Sequence, residues 1–319
     1  MKDFLFCLSA LLFLHGSAAA APPATPIKHL VIIFPENISF DHYFGTYPHA
    51  TNPPGEPKFI AAPNTPQVNG LDTALLTRNP NASNPANGEG AINPFRLERS
   101  QAATADQSHE YTAEQMAFHA GLMDLFPKSV GRGNKPATGP HTPLNTIGLT
   151  MGYFDGNTVT ALWNYAQRFA MSDNSYGSNF GPSTPGAINL ISGQTNGVVD
   201  IRNGSGGLAD GGNGSFTLIS DPDPVGDVCS ITTRMTVSMS GPNIGDLLKD
   251  GNITWGWFSG GFDRTIVNKN GTTDCKRSSQ SPLTPRPVLD YIPHHEPFQY
   301  YPSTANPDHT RPKSVKRIG

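Results

Sequence analysis

The chain has 319 residues, 36% of them hydrophobic, enough for one large α/β domain or two modest ones. Its net charge is −3 and it carries no basic tract, which argues against a nucleic-acid partner held through phosphate contacts. Thirty prolines and 33 glycines mean that much of it is loop.

The first 21 residues read as a secretory signal peptide. Lys2, partly offset by Asp3, precedes an apolar core from Phe4 to Leu14, and Ser17–Ala21 offers an A-x-A cleavage site. That core is too short to span a bilayer. The protein is therefore expected to be exported, periplasmic or secreted, with residues 22–319 as one domain. Cys7 leaves with the signal. Cys229 and Cys275 then remain as an even pair in an oxidising compartment, and one disulfide is expected.

After a Pro/Ala tether, His29–Phe34 carries consecutive apolar residues, the pattern of a strand buried on both faces of a parallel sheet. Pro35 ends it. Glu36 and Asn37 stand at its carboxyl end, where ligands gather in open α/β sheets, and Ser39 can cap a short helix through Tyr43. Residues 48–105 are rich in Pro, Asn and Ala, with no helical or strand period. They are expected as a long surface excursion. Thr112 and Gln115 offer a capping box for a helix to about Phe126, with Met116, Leu122, Met123 and Phe126 as its core positions. His109 stands just before that helix. Thr158 caps the next one, where Val159, Leu162, Trp163, Ala166 and Phe169 form an apolar stripe. Phe169-Ala170-Met171 reads as a short strand followed by the polar Ser172-Asp173-Asn174.

In the stretch Asn179–Leu190, Pro185 fits a first helical position. Ser183 falls at or just before that helix N-terminus, where unpaired N–H groups and the positive dipole end favour an anion. Beside a metal they would also stabilise an alkoxide. A hydroxyl residue at such a place most often serves as the N-cap, and the pattern alone favours that role for Ser183 or Thr184. Residues 195–240 are Gly-rich and polar, with no repeat. Asn243–Leu248 reads as a helix ending at Gly251, and Ile253–Phe258 as the next strand, an order that implies βαβ units and a parallel sheet. The triplet His294-His295-Glu296 has the donor chemistry of a zinc or iron site. Adjacent histidines in an extended segment point opposite ways, however, which argues against both on one ion.

Glu36-Asn37 followed by Ser39-Phe40-Asp41-His42-Tyr43-Phe44-Gly45 resembles the signature of the bacterial phosphoesterase family. That family contains phospholipases C and acid phosphatases and belongs to the alkaline phosphatase-like superfamily. Ile38 departs from it, standing where the common form has Arg. The resemblance covers Ile27 to the end. It implies an α/β, alkaline phosphatase-like fold: a mostly parallel sheet sandwiched by helices, with long irregular insertions. It also implies hydrolysis of phosphate esters with a divalent metal ion of unspecified identity. From the Gly181-Pro182-Ser183 match it implies Ser183 as nucleophile, with Thr184 as fallback and Gly186 departing from the family's Asn. The implied metal ligands are Glu36, Asn37 and Ser183. His109, in its D-Q-x-H segment, and His295, directly before Glu296-Pro297-Phe298, are implied phosphate contacts together with Asn37. Counterparts of the Gly226-Asp227-Val228-Cys229 segment, the Trp255–Phe258 strand and Cys275 support the Cys229–Cys275 pairing.

The absence of a basic stripe favours small phosphomonoesters over phospholipid head groups, though family members use both. Family members also continue well beyond this length, into a segment whose Asp-Asp or Asp-Glu pair completes the metal site. No such pair follows here, and the chain closes on the polar run Lys313–Gly319. The resemblance thus implies a truncated form with poor metal affinity, low or absent activity and an unpaired sheet edge. A phosphate-binding remnant without turnover is the reading opposed to an enzyme.

Overall fold

The structure, a computed structural model, describes residues 25–131, 144–212, 214–260, 267, 275, 277–281 and 287–310. The expected signal peptide and the Lys313–Gly319 run lie outside the described residues. No helix among the described residues is long and apolar enough to cross a membrane.

The helices that begin at Tyr111 and Thr160 have Glu110 and Val159 at the cap position and no side-chain cap bond, so the caps expected of Thr112 and Thr158 do not form. Ser39 caps α1 (Phe40–Phe44) by accepting the His42 N–H at 3.2 Å. Asp72 and Asn79 cap α2 (Thr73–Thr77) and α3 (Pro80–Ser83), which lie in the stretch expected as excursion. That stretch is not merely surface: Phe59 and Leu97 are buried within it. Strand β1 (Phe95–Arg96) follows. The helix expected to about Phe126 is instead two, α4 (Tyr111–Phe118) and α5 (Phe126–Ser129). His119 and Ala120 turn into the left-handed region at φ 46° and 52° and end the first one. Met116, Leu122 and Met123 are exposed. The face of α4 that packs carries Tyr111 and Phe118, whose rings meet Phe180 at 6.3 and 5.5 Å.

Strand β2 (Gly152–Tyr153) pairs in parallel with β1. In α6 (Thr160–Ala166) the buried stripe is narrower than its spacing predicts. Trp163 is fully buried, edge-on to Tyr47 and Phe59 at 5.1 and 5.0 Å, while Leu162 and Phe169 are exposed. Helix α7 (Ser183–Ser192) buries Ile188 and Ile191 and stops at Gly193, whose φ of 72° suits glycine. The Gly-rich stretch after it holds most of the sheet. Strands β3 (Val198–Arg202), β4 (Leu208–Gly212), β5 (Ser215–Leu218), β6 (Asp223–Pro224) and β7 (Thr236–Met239) lie there. β3 pairs antiparallel and β6 parallel with β7, while β4 and β5 form an antiparallel hairpin. The expected helix forms as α8 (Ile244–Asp250), capped reciprocally by Asn243 and Asp246 and followed by Gly251. β8 (Ser278–Gln280) pairs antiparallel with β9 (Pro287–Leu289).

The architecture is mixed α/β with several small sheets, not one mostly parallel sheet between helical layers. His29–Phe34 is extended but joins no ladder among the described residues, and Leu30–Ile33 are 72–85% exposed. Phe169–Met171 and Ile253–Phe258 are likewise outside any ladder. A buried parallel strand needs hydrogen-bonded neighbours and helices over both faces. Among the described residues these three runs have neither.

The main core joins α7, the sheet and the C-terminal segment: Ile188, Ile191, Val198, Leu218, Val237 and Met239 pack with Phe298, Tyr300 and Tyr301. One buried carboxylate ties that segment down. Asp227 accepts from Tyr291 OH at 2.7 Å, Gln299 Nε2 at 2.9 Å and the Cys229 N–H at 2.8 Å, and pairs with His309 Nε2 at 2.9 Å. Beside it, Cys229 and Cys275 form the expected disulfide, closing 46 residues of chain. Burial pushes the Asp227 carboxyl up, but the bonds from His309, Tyr291 and Cys229 outweigh this and leave it below the ordinary carboxylate range. Its stabilising contribution is thus present above the unfolded-state pKa and lost as pH falls through the depressed native value. Asp227→Ala should cost about 3–5 kcal/mol at pH 7. In urea melts the variant should also lose less stability than the native chain on acidification.

Candidate functional site

Four distant segments meet at the N-terminus of α7. The extended run from Ile27 ends at Glu36, whose Oε2 accepts a hydrogen bond from Ser183 Oγ at 2.9 Å. Its other oxygen, Oε1, lies 3.9 Å from His295 Nε2, carried by the turn Pro293–His295. Both side chains are about two-fifths exposed, so the site is open to solvent. Asn37 follows Glu36 with φ 73°, a conformation asparagine tolerates better than most residues. His109, half-buried before α4, lies close enough to His295 for its charge to act on it. The structure thus brings Glu36, Ser183 and His295 together, with Asn37 adjacent in the chain and His109 near enough to act on His295 by charge alone. His294 turns away toward Asp223, 3.4 Å from it.

Ser183 is not an N-cap. The cap position of α7 is Pro182, which makes no side-chain cap bond, and Ser183 Oγ points to Glu36 instead. Thr184, the fallback nucleophile, is fully buried and its hydroxyl donates to His294 O at 3.1 Å. It is therefore engaged and out of reach of solvent. The helix end is also less open to an anion than its position predicts. The Thr184 N–H is taken by Asp221 Oδ1 at 2.8 Å, and the Gly181 N–H by Glu114 Oε2 at 2.7 Å. Pro182 and Pro185 have no N–H to offer. Sequence reasoning missed Glu114 and Asp221. No spacing marks Glu114, and the only sign near Asp221 is the unusual Asp221-Pro222-Asp223-Pro224.

Three carboxylates, Glu36, Glu114 and Asp221, therefore lie close around Ser183. Their charges repel a phosphate and attract a cation. The Glu36 carboxylate and Ser183 hydroxyl are adjacent oxygen donors with an imidazole behind them, a set that fits one side of a divalent ion's shell. Elsewhere, Asp227, Cys229 and His309 hold their donor atoms within 4.8 Å of one another. The Cys229 sulfur is in the disulfide and offers no thiolate, so this buried group is a structural pin.

Burial lowers the His295 pKa, and the charge of His294 lowers it further, while Glu36 and Asp221 pull it back up. Burial raises the Glu114 carboxyl, with the Gly181 N–H and His109 opposing it. Burial pushes Glu296 up to about 8 against the counter-pull of the Phe298 N–H, and the charge of Asp227 pushes it further.

A sequence model described as the Phosphoesterase family matches residues 27–319. The chain is similar to two proteins of Mycobacterium tuberculosis. It is 26% identical over 167 residues to phospholipase C A, covering 50% of this chain and 28% of that one. It is 24% identical over 190 residues to phospholipase C B, covering 56% and 32%. The match thus spans less than a third of either relative's length.

Glu296 gives this region a pH signature. Between its ordinary value of 4.5 and about 8, the unfolded chain ionises it and the folded chain does not, so stability falls as pH rises through that window. Glu296→Gln keeps an acceptor for the Phe298 N–H and removes the penalty. Its melting temperature should exceed the native one by several degrees at pH 8.5 and by little at pH 5.

Proposed function

The chain belongs to the phosphoesterase family, and from that membership we propose an exported, metal-dependent hydrolase of phosphate esters, acid phosphatase-like, that works through a phosphoseryl intermediate. The observation that carries this reading is the 2.9 Å hydrogen bond from Ser183 Oγ to Glu36 Oε2 at the mouth of α7. A solvent-accessible hydroxyl hydrogen-bonded to a carboxylate, with an imidazole beside it, is the arrangement an in-line phosphoryl acceptor needs. Residues 22–319 would form its domain. Export agrees with the leader pattern of residues 1–21 and with the Cys229–Cys275 disulfide.

Glu36, Asn37 and Ser183 would hold a divalent cation, which lowers the pKa of a bound hydroxyl and offsets the local carboxylate charge. Glu36 orients the Ser183 hydroxyl. Ser183 Oγ then bonds to phosphorus as its proton passes to Glu36 Oε2, and the bond from phosphorus to the ester oxygen breaks on the opposite side, that oxygen leaving with a proton from solvent. His109, His295 and Asn37 bind the equatorial oxygens. Water afterwards cleaves the Oγ–P bond and releases phosphate.

A second reading, cleavage of phospholipid head groups, is favoured by the names of the two mycobacterial relatives. A phosphomonoesterase turns over p-nitrophenyl phosphate faster than p-nitrophenyl phosphorylcholine, and a phospholipase C reverses that order. Under either reading Ser183→Ala should lose at least 1,000-fold in kcat (about 4 kcal/mol), and a chelator should stop the native chain. Normal turnover by Ser183→Ala would falsify the assignment. Phosphate-dependent melting without any turnover would leave a binding protein in its place.

A further inference from the structure

We propose that Glu114 and Asp221 form a carboxylate clamp, a pair of positioning residues that hold the backbone on either side of Ser183 and so aim its hydroxyl at Glu36. The inference rests on Ser183 being the reacting group, but its geometry stands independently. The two acceptors come from unrelated parts of the chain, 67 residues before Gly181 and 37 residues after Thr184. Each takes one backbone N–H, and the two N–H groups bracket Ser183.

Both carboxylates are themselves held. On α4, Tyr111, Glu114 and Phe118 share one face by their i, i+3, i+7 spacing. The two rings pack on Phe180 while Glu114 takes the neighbouring Gly181 N–H. Asp221 lies two residues before β6, and the next carbonyl, Pro222 O, accepts the buried Tyr300 hydroxyl at 2.5 Å. Between the two clamped N–H groups Pro182 fixes one φ, and Pro185 fixes another just beyond, while Gly181 supplies the φ of +115° that lets the chain turn there. Thr184 is tied a second time, through its hydroxyl, to His294 O next to His295.

An N-cap from the serine's own side chain would occupy the oxygen that reacts. Here the first turn is satisfied by Asp221 across space, and Ser183 Oγ remains available. The cost is two added negative charges near an anionic substrate, which a bound cation offsets.

The test compares Glu114→Ala, Asp221→Ala, Glu114→Gln and Asp221→Asn with the native chain and Ser183→Ala. Amide hydrogen exchange at Gly181 and Thr184 is read by NMR, and turnover by p-nitrophenyl phosphate. Each Ala variant should speed exchange of its own amide at least tenfold, with the change confined to residues 180–186. Gln and Asn, which still accept the N–H, should restore it. In turnover the Ala variants should lose at least tenfold in kcat with KM within twofold, and the amide variants should recover most of it. Unchanged exchange in the Ala variants, or Gln and Asn no better than Ala, overturns the clamp. So does full kcat in both Ala variants when Ser183→Ala is dead. If Ser183→Ala keeps turnover, or no chain turns over, the functional reading fails instead and the exchange data alone judge the clamp.

Discussion

The buried Asp227 carboxylate is the constraint on which the C-terminal half of the molecule depends. A charge without water needs several donors, and Asp227 collects them from Tyr291, Gln299, His309 and the Cys229 backbone. Those donors bracket the segment that delivers Phe298, Tyr300 and Tyr301 to the main core and His295 to the site. The disulfide beside it anchors the same corner covalently. Helix α7 rests on that core through Ile188 and Ile191, so the direction of Ser183 is set partly by a charge far from it in sequence.

What the sequence made legible was local. Ser39 announced its helix because cap, donor and acceptor lie within three residues of one another. The strands were opaque for the opposite reason. Their partners are remote: Val198 faces Met239 and Asp223 faces Thr236, in a stretch whose glycines and polar residues hide the pairing. The apolar pattern of His29–Phe34 is real, yet extended backbone becomes sheet only where a neighbour is available. The spacing of Met116, Leu122 and Met123 points to a core face that α4 does not have, since the helix stops at His119 and packs with Tyr111 and Phe118.

The candidate site divides along the same line. Glu36, Asn37, Ser183, His109 and His295 are marked by short motifs, and the structure joins three of them, Ser183, Glu36 and His295, in direct contact, with Asn37 beside Glu36 in the chain. Their immediate surroundings were not legible. Glu114 and Asp221 have their role only through backbone amides across 67 and 37 residues, and nothing in their own neighbourhoods encodes it. They also change the electrostatic character of the helix end. A position that reads as an anion cradle from its dipole is instead surrounded by carboxylates, and binding there calls for a counter-ion.

The exposed run from Leu30 to Phe34 has a consequence beyond the fold. Five consecutive apolar residues in extended form, outside any ladder among the described residues and with no charge among them, are a template on which a like segment can stack. Stacking of that kind takes two molecules, so its rate grows with the square of the protein concentration, while folding does not. The five residues that lead the chain to Glu36 thus make association, unlike folding, depend on how concentrated the protein is.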